Sequence, residues 1–258
     1  MLADYHVHYY TDKCASPEMT LPNIIAEAQK AGLNEIAVLK HYSKSLPNGG
    51  DNFESWYRIV PEEFEEYLSD IAQFKSLRNS GDFRIYSGVE TELVSEDGII
   101  NIENEQQQRV DIVALSAHYL PYLCAPDLYN SEKIIQGLAN AYCNAIRKNP
   151  KVRTLAHMGD GLGLLRECFD VDKIETDKLV NLMEPLMICM RKHDVLWELT
   201  TEMPMQKDII LHANKLGVRF CATADAHFIS NGWANISEHN KAEEIIDSLE
   251  LNRGYLNR

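Results

Sequence analysis

Two hydrophobic periods take turns along this chain from end to end. Short apolar runs of strand length occupy Ala3–His8, Glu35–Leu39, Arg84–Val94, Asp111–Ser116, Arg153–Ala156, Val195–Leu199 and Arg219–Thr223. Between them, apolar residues recur every three to four positions, the spacing of one helix face. Helices are predicted over 20–32, 61–79, 131–148, 172–192, 205–216 and 237–251. Thr20 stands at the N-cap of the first, with Pro22 in its first turn and Ala31-Gly32 at its end. Pro61-Glu62-Glu63 opens the second with acids in the first turn. A polar stretch rich in Gly, Asn and Ser fills 40–60. Strands separated by helices favour a parallel sheet. Seven such units in 258 residues predict an α/β fold, one barrel over 1–258 with no linker or internal repeat.

The residues at the strand ends change the picture from fold to chemistry. His6 and His8 close the first apolar run two positions apart, and Asp225 and His227 stand two apart just past the last. Residues i and i+2 of a strand share a face, so each pair aims two ligand-type groups at one point. His41, Glu90, His118 and His157 each sit at or just beyond the end of another run. In a parallel barrel the functional groups gather at those carboxyl ends. Imidazole with carboxylate oxygen suits Zn, Mn or Fe. Glu90 is the natural bridge between two ions, with Glu92 its rival on the same strand face. Glu198 is either a support for a ligand or a barrel-lining acid. His193, His212 and His239 fall in or beside helices among charged neighbours and read as solvated.

Together these residues resemble the polymerase and histidinol phosphatase (PHP) superfamily. The likeness is carried by His6-Val7-His8, Asp12 with Ser16-Pro17-Glu18, Gly32-Leu33-Asn34-Glu35-Ile36-Ala37, His41, Gly88-Val89-Glu90, Ser116-Ala117-His118, Ala156-His157 and Ala224-Asp225-Ala226-His227. It spans residue 1 to about residue 230. It implies a distorted, TIM-like (β/α)7 barrel holding two or three divalent metal ions. His6, His8, Glu90 and Asp225 would hold one ion, and Glu90, His118 and His157 a second. His41, His227 and a residue of the loop after His8 would hold a third. Asp12 fits the family pattern best there, with Cys14 as the softer alternative. Where members often have Thr-Asp-His, this chain has Leu39-Lys40-His41. The free-standing length and the spacing of Glu90, His118 and His157 look most like the histidinol phosphatase group. The implied enzyme is a metal-dependent phosphomonoesterase acting on histidinol phosphate, an intermediate of histidine biosynthesis. Two metals can polarise phosphoryl oxygens and activate a water, with Asp225 or His227 returning a proton to the leaving alcohol. Arg166, in the loop after His157, is expected to grip the phosphate. Lys40 either touches phosphate or pairs at the surface. Tyr9, Tyr10 and Tyr119 either line the pocket or pack in the barrel. The alternatives are an idle, metal-bearing regulatory barrel, another hydrolase of the amidohydrolase kind, or a PHP hydrolase acting on another phosphoester such as a nucleotide.

Charge and composition narrow the partners. A formal net charge of −14 argues against a nucleic-acid backbone or an anionic membrane. A small phosphorylated substrate remains open, because bound metals reverse the local field. There is no apolar run of 18 residues and no secretory leader pattern at the N-terminus. Six scattered Cys, without a Cys-x-x-Cys pair, fit a reduced cytoplasmic setting.

Overall fold

A computed structural model describes residues 2–43, 61–77, 83–118, 131–158, 174–201, 207–230 and 234–256. Seven parallel strands follow one another in chain order around one sheet: β1 (Ala3–His8), β2 (Glu35–His41), β3 (Arg84–Glu92), β4 (Ile112–Ser116), β5 (Val152–Leu155), β6 (Leu196–Leu199) and β7 (Phe220–Ala222). The helices between them are α1 (Leu21–Lys30), α2 (Pro61–Leu77), α3 (Asn104–Gln108), α4 (Ser131–Lys148), α5 (Thr176–His193), α6 (Lys207–Lys215) and α7 (His239–Ser248). A parallel bridge from Val7 to Ala226 brings the first strand against the segment after the last, so the sheet curls into a nearly closed TIM-like barrel. The expected seven-stranded α/β barrel is the fold observed. β2 runs two residues further than the apolar pattern suggested, carrying His41 into the sheet. The five-residue α3 had no sequence signal. Thr20 precedes α1 in an extended conformation, but its side chain makes no cap hydrogen bond.

The pleat divides the core in two. Val38, Val89, Val113, Leu115, Trp197 and Phe220 face outward and pack under the helices. Ala37, Leu39, Ile112, Ala114, Leu196 and Cys221 face inward and fill the barrel with Ala3, Tyr5 and Leu256. Along β2 and β3 this parity carries straight to the rim, so Ala37, Leu39 and His41 share a face, as do Gly88, Glu90 and Glu92. β1 departs from it. Ala3 and Tyr5 point inward, yet so do His6 and His8, while Val7 packs outward. The register against β2 shifts between Asp4 and Val7, so one extra β1 residue reverses the alternation there. Without that irregularity both imidazoles would face the helices. Gly88 allows β2, β3 and β4 their close approach: an added Cβ would lie 2.4 Å from Leu39 Cδ2 and 2.8 Å from Ile112 Cγ1. Tyr67 of α2 places its hydroxyl at the same point, accepting from Gly88 N–H at 2.7 Å and reaching Val38 O at 2.7 Å. The floor of the barrel is sealed by the chain's last described residues. Phe220 N donates to Asn252 O, Gly254 N to Phe220 O, and Leu256 N to the Tyr5 hydroxyl.

Candidate metal centre

At the carboxyl ends of the strands, eight imidazole and carboxylate side chains converge on one small volume: His6, His8, His41, Glu90, His118, His157, Asp225 and His227. His6 Nε2 lies 3.1 Å from His8 Nε2, 3.3 Å from Asp225 Oδ1 and 3.4 Å from Glu90 Oε2. His8 Nε2 lies 3.1 Å from Asp225 Oδ1. Glu90 is shared: Oε2 faces His6, His8 and His41, at 3.4, 3.6 and 3.6 Å, while Oε1 meets His157 Nε2 at 3.1 Å. Among the described residues, candidate ligand atoms fall into four overlapping groups, each within 4.8 Å: His6, His8 and Glu90; His6, His157 and Asp225; Glu90, His118 and His157; and His8, Cys14, His41 and His227. Two of these candidate ligands sit in left-handed backbone, His157 at φ 26° and Asp225 at φ 48°. Such angles are uncommon for residues other than glycine, least so for Asp, and functional sites are one place where they occur.

A further ring of carboxylates sets the imidazoles. Glu198 Oε2 accepts from His6 Nδ1 at 2.7 Å, Asp12 Oδ2 from His8 Nδ1 at 3.1 Å, and Glu92 Oε1 from His118 Nδ1 at 2.5 Å. With the carboxylate accepting, each Nδ1 carries the proton and each Nε2 is left free to ligate an ion. His227 Nδ1 donates to the Asp225 carbonyl at 2.8 Å, with the same result. This resolves Glu198 as a support for His6 and Glu92 as a support for His118.

The donor set fits bound cations. Asp12, Glu90, Glu92, Glu198 and Asp225 surround the cluster, and Lys40, at 2.7 Å from Asp12, is the one ammonium among the described residues there. Buried charges in proteins are paired or ligate metal. Burial opposes ionisation of Glu90 and Asp225, yet the histidines around them, His6 first, hold both well below the usual carboxylate range. Burial likewise opposes charge on His6, but Glu198, Asp225 and Glu90 outweigh it and raise its pKa well above the ordinary value. Two ring nitrogens 3.1 Å apart need a positive charge between them, a proton or a metal ion. Nitrogens bound to one four-coordinate zinc at about 2.0–2.1 Å would stand about 3.3 Å apart, close to the 3.1–3.6 Å spacings here.

No protein-family profile and no curated protein matches the chain in sequence. Its fold does match solved structures. One is the histidinol phosphate phosphatase of Lactococcus lactis subsp. lactis, solved with zinc, L-histidinol and phosphate. It has a TM-score of 0.63 and 14% identity, over 98% of this chain and 95% of that one. Another is the putative histidinol phosphatase of Listeria monocytogenes, at a TM-score of 0.63 and 15% identity, over 90% of this chain and 98% of that one. At such identities the likeness establishes a shared fold.

Several expected residues land elsewhere than foreseen. Asp12 is not among the grouped ligand atoms; Cys14 is, with its Sγ 3.5 Å from His41 Nε2. Both Asp12 oxygens are taken up, by His8 Nδ1, by Lys40 and by the His41 backbone N–H at 3.2 Å. Lys40 is neither on the surface nor in the mouth. It is buried, with Nζ donating to Thr11 O, Asp12 and Glu63. Asp225 and His227, expected to handle the leaving-group proton, both stand in the cluster: the histidines, His6 first, hold Asp225 below the usual carboxylate range, and burial, with His8, pushes His227 down. Tyr9 and Tyr10 turn to α2, where their hydroxyls meet Asp70 and Glu66. His239 is fully buried, contrary to its reading as solvated, whereas His193 is exposed and His212 pairs with Glu184 at 2.9 Å. Arg166 and Tyr119 lie outside the described residues.

Proposed function

We propose that this chain is a metal-dependent phosphomonoesterase acting as one domain, with histidinol phosphate the first candidate substrate. The observation that carries the reading is Glu90, whose two oxygens face two different groups of ligands. In this reading His6, His8, Glu90, His118, His157 and Asp225 hold two ions, and His8, Cys14, His41 and His227 offer a third place. Zinc is favoured by the nitrogen-rich set and by the zinc in the Lactococcus lactis neighbour. Bound divalent ions supply Lewis-acid polarisation of the phosphoryl group and a water acidic enough to attack it near neutral pH. The chain's own residues do the rest. Glu198, Asp12 and Glu92 keep the proton on Nδ1 of three histidines and so leave Nε2 of each facing the ions. Glu90 and Asp225, both ionised, would repel a phosphate dianion from an unloaded site, so phosphate binding depends on loading. Arg166 is proposed as the guanidinium that forks onto two phosphoryl oxygens.

Substrate size and compartment belong to the same proposal. A small phosphomonoester is preferred over nucleic acid because the net charge is −14. No described helix is long and apolar enough to cross a membrane. The described thiols are unpaired, which suits a reducing cytoplasm. The test joins metal analysis of the purified chain to phosphate release from a panel holding histidinol phosphate, aryl phosphates, nucleotides and oligonucleotides. Two or more zinc ions per chain, with release from histidinol phosphate, supports the reading. Metal without release from any monoester overturns it in favour of an idle barrel.

A further inference from the structure

We propose that Asp4 is a positioning residue for the metal centre, clasping the seam of the barrel so that His6 and Asp225 are set against each other. The proposal rests on the metal-centre reading above, and concerns a residue outside every ligand group.

β1 and β7 are the two strands that must meet for the barrel to close; β1 carries His6 and His8, and Asp225 and His227 lie on the segment just past β7. Direct backbone bonding across the seam is sparse. His8 N donates to Ala226 O at 2.9 Å and Ala226 N to His6 O at 3.1 Å. Below that point the strands are joined by a side chain. Asp4 Oδ1 accepts from His6 N–H at 3.0 Å, and Asp4 Oδ2 accepts from Ala224 N–H at 3.1 Å. One carboxylate thus holds a backbone amide on each side of the seam. It also answers the irregularity in β1, whose reversed alternation turns the His6 amide away from the regular ladder.

The clasp acts where the geometry is most demanding. Asp225 sits at φ 48°, between Ala224 and Ala226, and both flanking amides are bonded to β1, one through Asp4 and one directly. Left-handed backbone is sparsely populated outside glycine, although Asp tolerates it better than most residues, and the two flanking hydrogen bonds hold Asp225 there. Asp4 itself is fully buried, and the ring of His239, at the start of α7, backs it with Nδ1 3.6 Å from Oδ2. The other ring nitrogen lies 3.4 Å from Glu243, which pairs with Arg253. Sequence pattern alone leaves Asp4 as an acid stranded in an apolar strand; its two amide partners give it a reason to be there.

Asp4→Asn is the sharpest perturbation, because it keeps size and one acceptor but turns an NH2 group toward a second N–H donor. Zinc affinity is read by competition with a chromophoric chelator, and the thermal midpoint of the metal-stripped chain is read alongside. Supports behind metal ligands typically contribute 10–100-fold to affinity. A loss of that size in the folded variant supports the clasp. A lowered midpoint with wild-type zinc affinity means Asp4 only holds the fold together, and overturns it. If Asp4→Asn does not fold, His239→Gln carries the test from outside the seam: a several-fold loss of affinity supports the proposal, and wild-type affinity overturns it. Wild-type protein that binds no zinc overturns the metal-centre reading along with this one.

Discussion

Glu90 and Glu92 are one pleat apart on the same strand and both are about 1% exposed, which makes them a matched pair for testing the bridge. Glu90→Gln removes a charge that two ligand groups share, since Oε2 faces His6, His8 and His41 and Oε1 faces His157. Glu92→Gln removes a charge of equal size that reaches the site only through His118, whose Nδ1 and backbone N–H it accepts at 2.5 and 3.0 Å. A carboxylate behind a ligand is worth about 10–100-fold in metal affinity, or about 1.4–2.7 kcal/mol. Taking that factor as a floor for each group that Glu90 serves, loading of both ions should weaken by about 10²–10⁴ in Glu90→Gln, or roughly 3–5.5 kcal/mol. In Glu92→Gln a single group should weaken by about 10–100-fold. Equilibrium dialysis against graded zinc, with the bound metal counted by atomic absorption, separates one weakened ion from two. Equal losses in the two variants, or wild-type stoichiometry and affinity in Glu90→Gln, would refute the shared-ligand reasoning.

Four further outcomes are expected. Gly88→Ala should destabilise the fold by about 1–3 kcal/mol in urea denaturation, as overpacking does, because its Cβ meets Leu39 and Ile112; unchanged stability would mean that the strands can part. Cys14→Ser should abolish the thiolate charge-transfer band of the cobalt-loaded protein and leave the Glu90-centred ions bound; a wild-type protein without that band would remove Cys14 from the ligand set. Arg166→Ala should lower kcat/KM for a phosphomonoester about 10²–10³-fold with normal metal content, and near-native turnover would leave the phosphate without a clamp. Asp111, which accepts from Ser87 N–H at 2.7 Å and from Lys75, is held below the usual carboxylate range: burial works against this, but the two partners outweigh it. Its stabilisation is therefore present above the ordinary carboxylate pKa and lost as pH falls through the lower folded value. Asp111→Asn should cost about 1 kcal/mol at pH 7, with the gap to wild type closing in acid.

The convergence of the strand-end side chains was legible because strand parity is local. Once Leu39 and Gly88 face the interior, His41 and Glu90 two residues on must follow them. The same parity placed Glu92 and Glu198 at the rim, but not their task, which depends on contacts such as His118 to Glu92, 26 residues apart, and His6 to Glu198, 192 apart. The loop after His8 has no period. Spacing could not show that Lys40 and two histidines would occupy both oxygens of Asp12 and leave the open place to Cys14. His239 departs from its pattern for a related reason: its helix neighbours in sequence are charged, yet its ring is buried beside Asp4 of β1. α3 is too short for a hydrophobic period to register.

The tail that floors the barrel also sets an order of events. Tyr5 and Leu256 are joined across 251 positions, among the longest loops this chain can close. Ordering a loop of that length precedes any reward from its contacts, and topologies of this kind fold slowly. His6 and His8 at one end of the chain, and Asp225 and His227 near the other, join across that same late closure. In the metal-centre reading proposed above, the full set of candidate ligands therefore comes together only once that seam has closed.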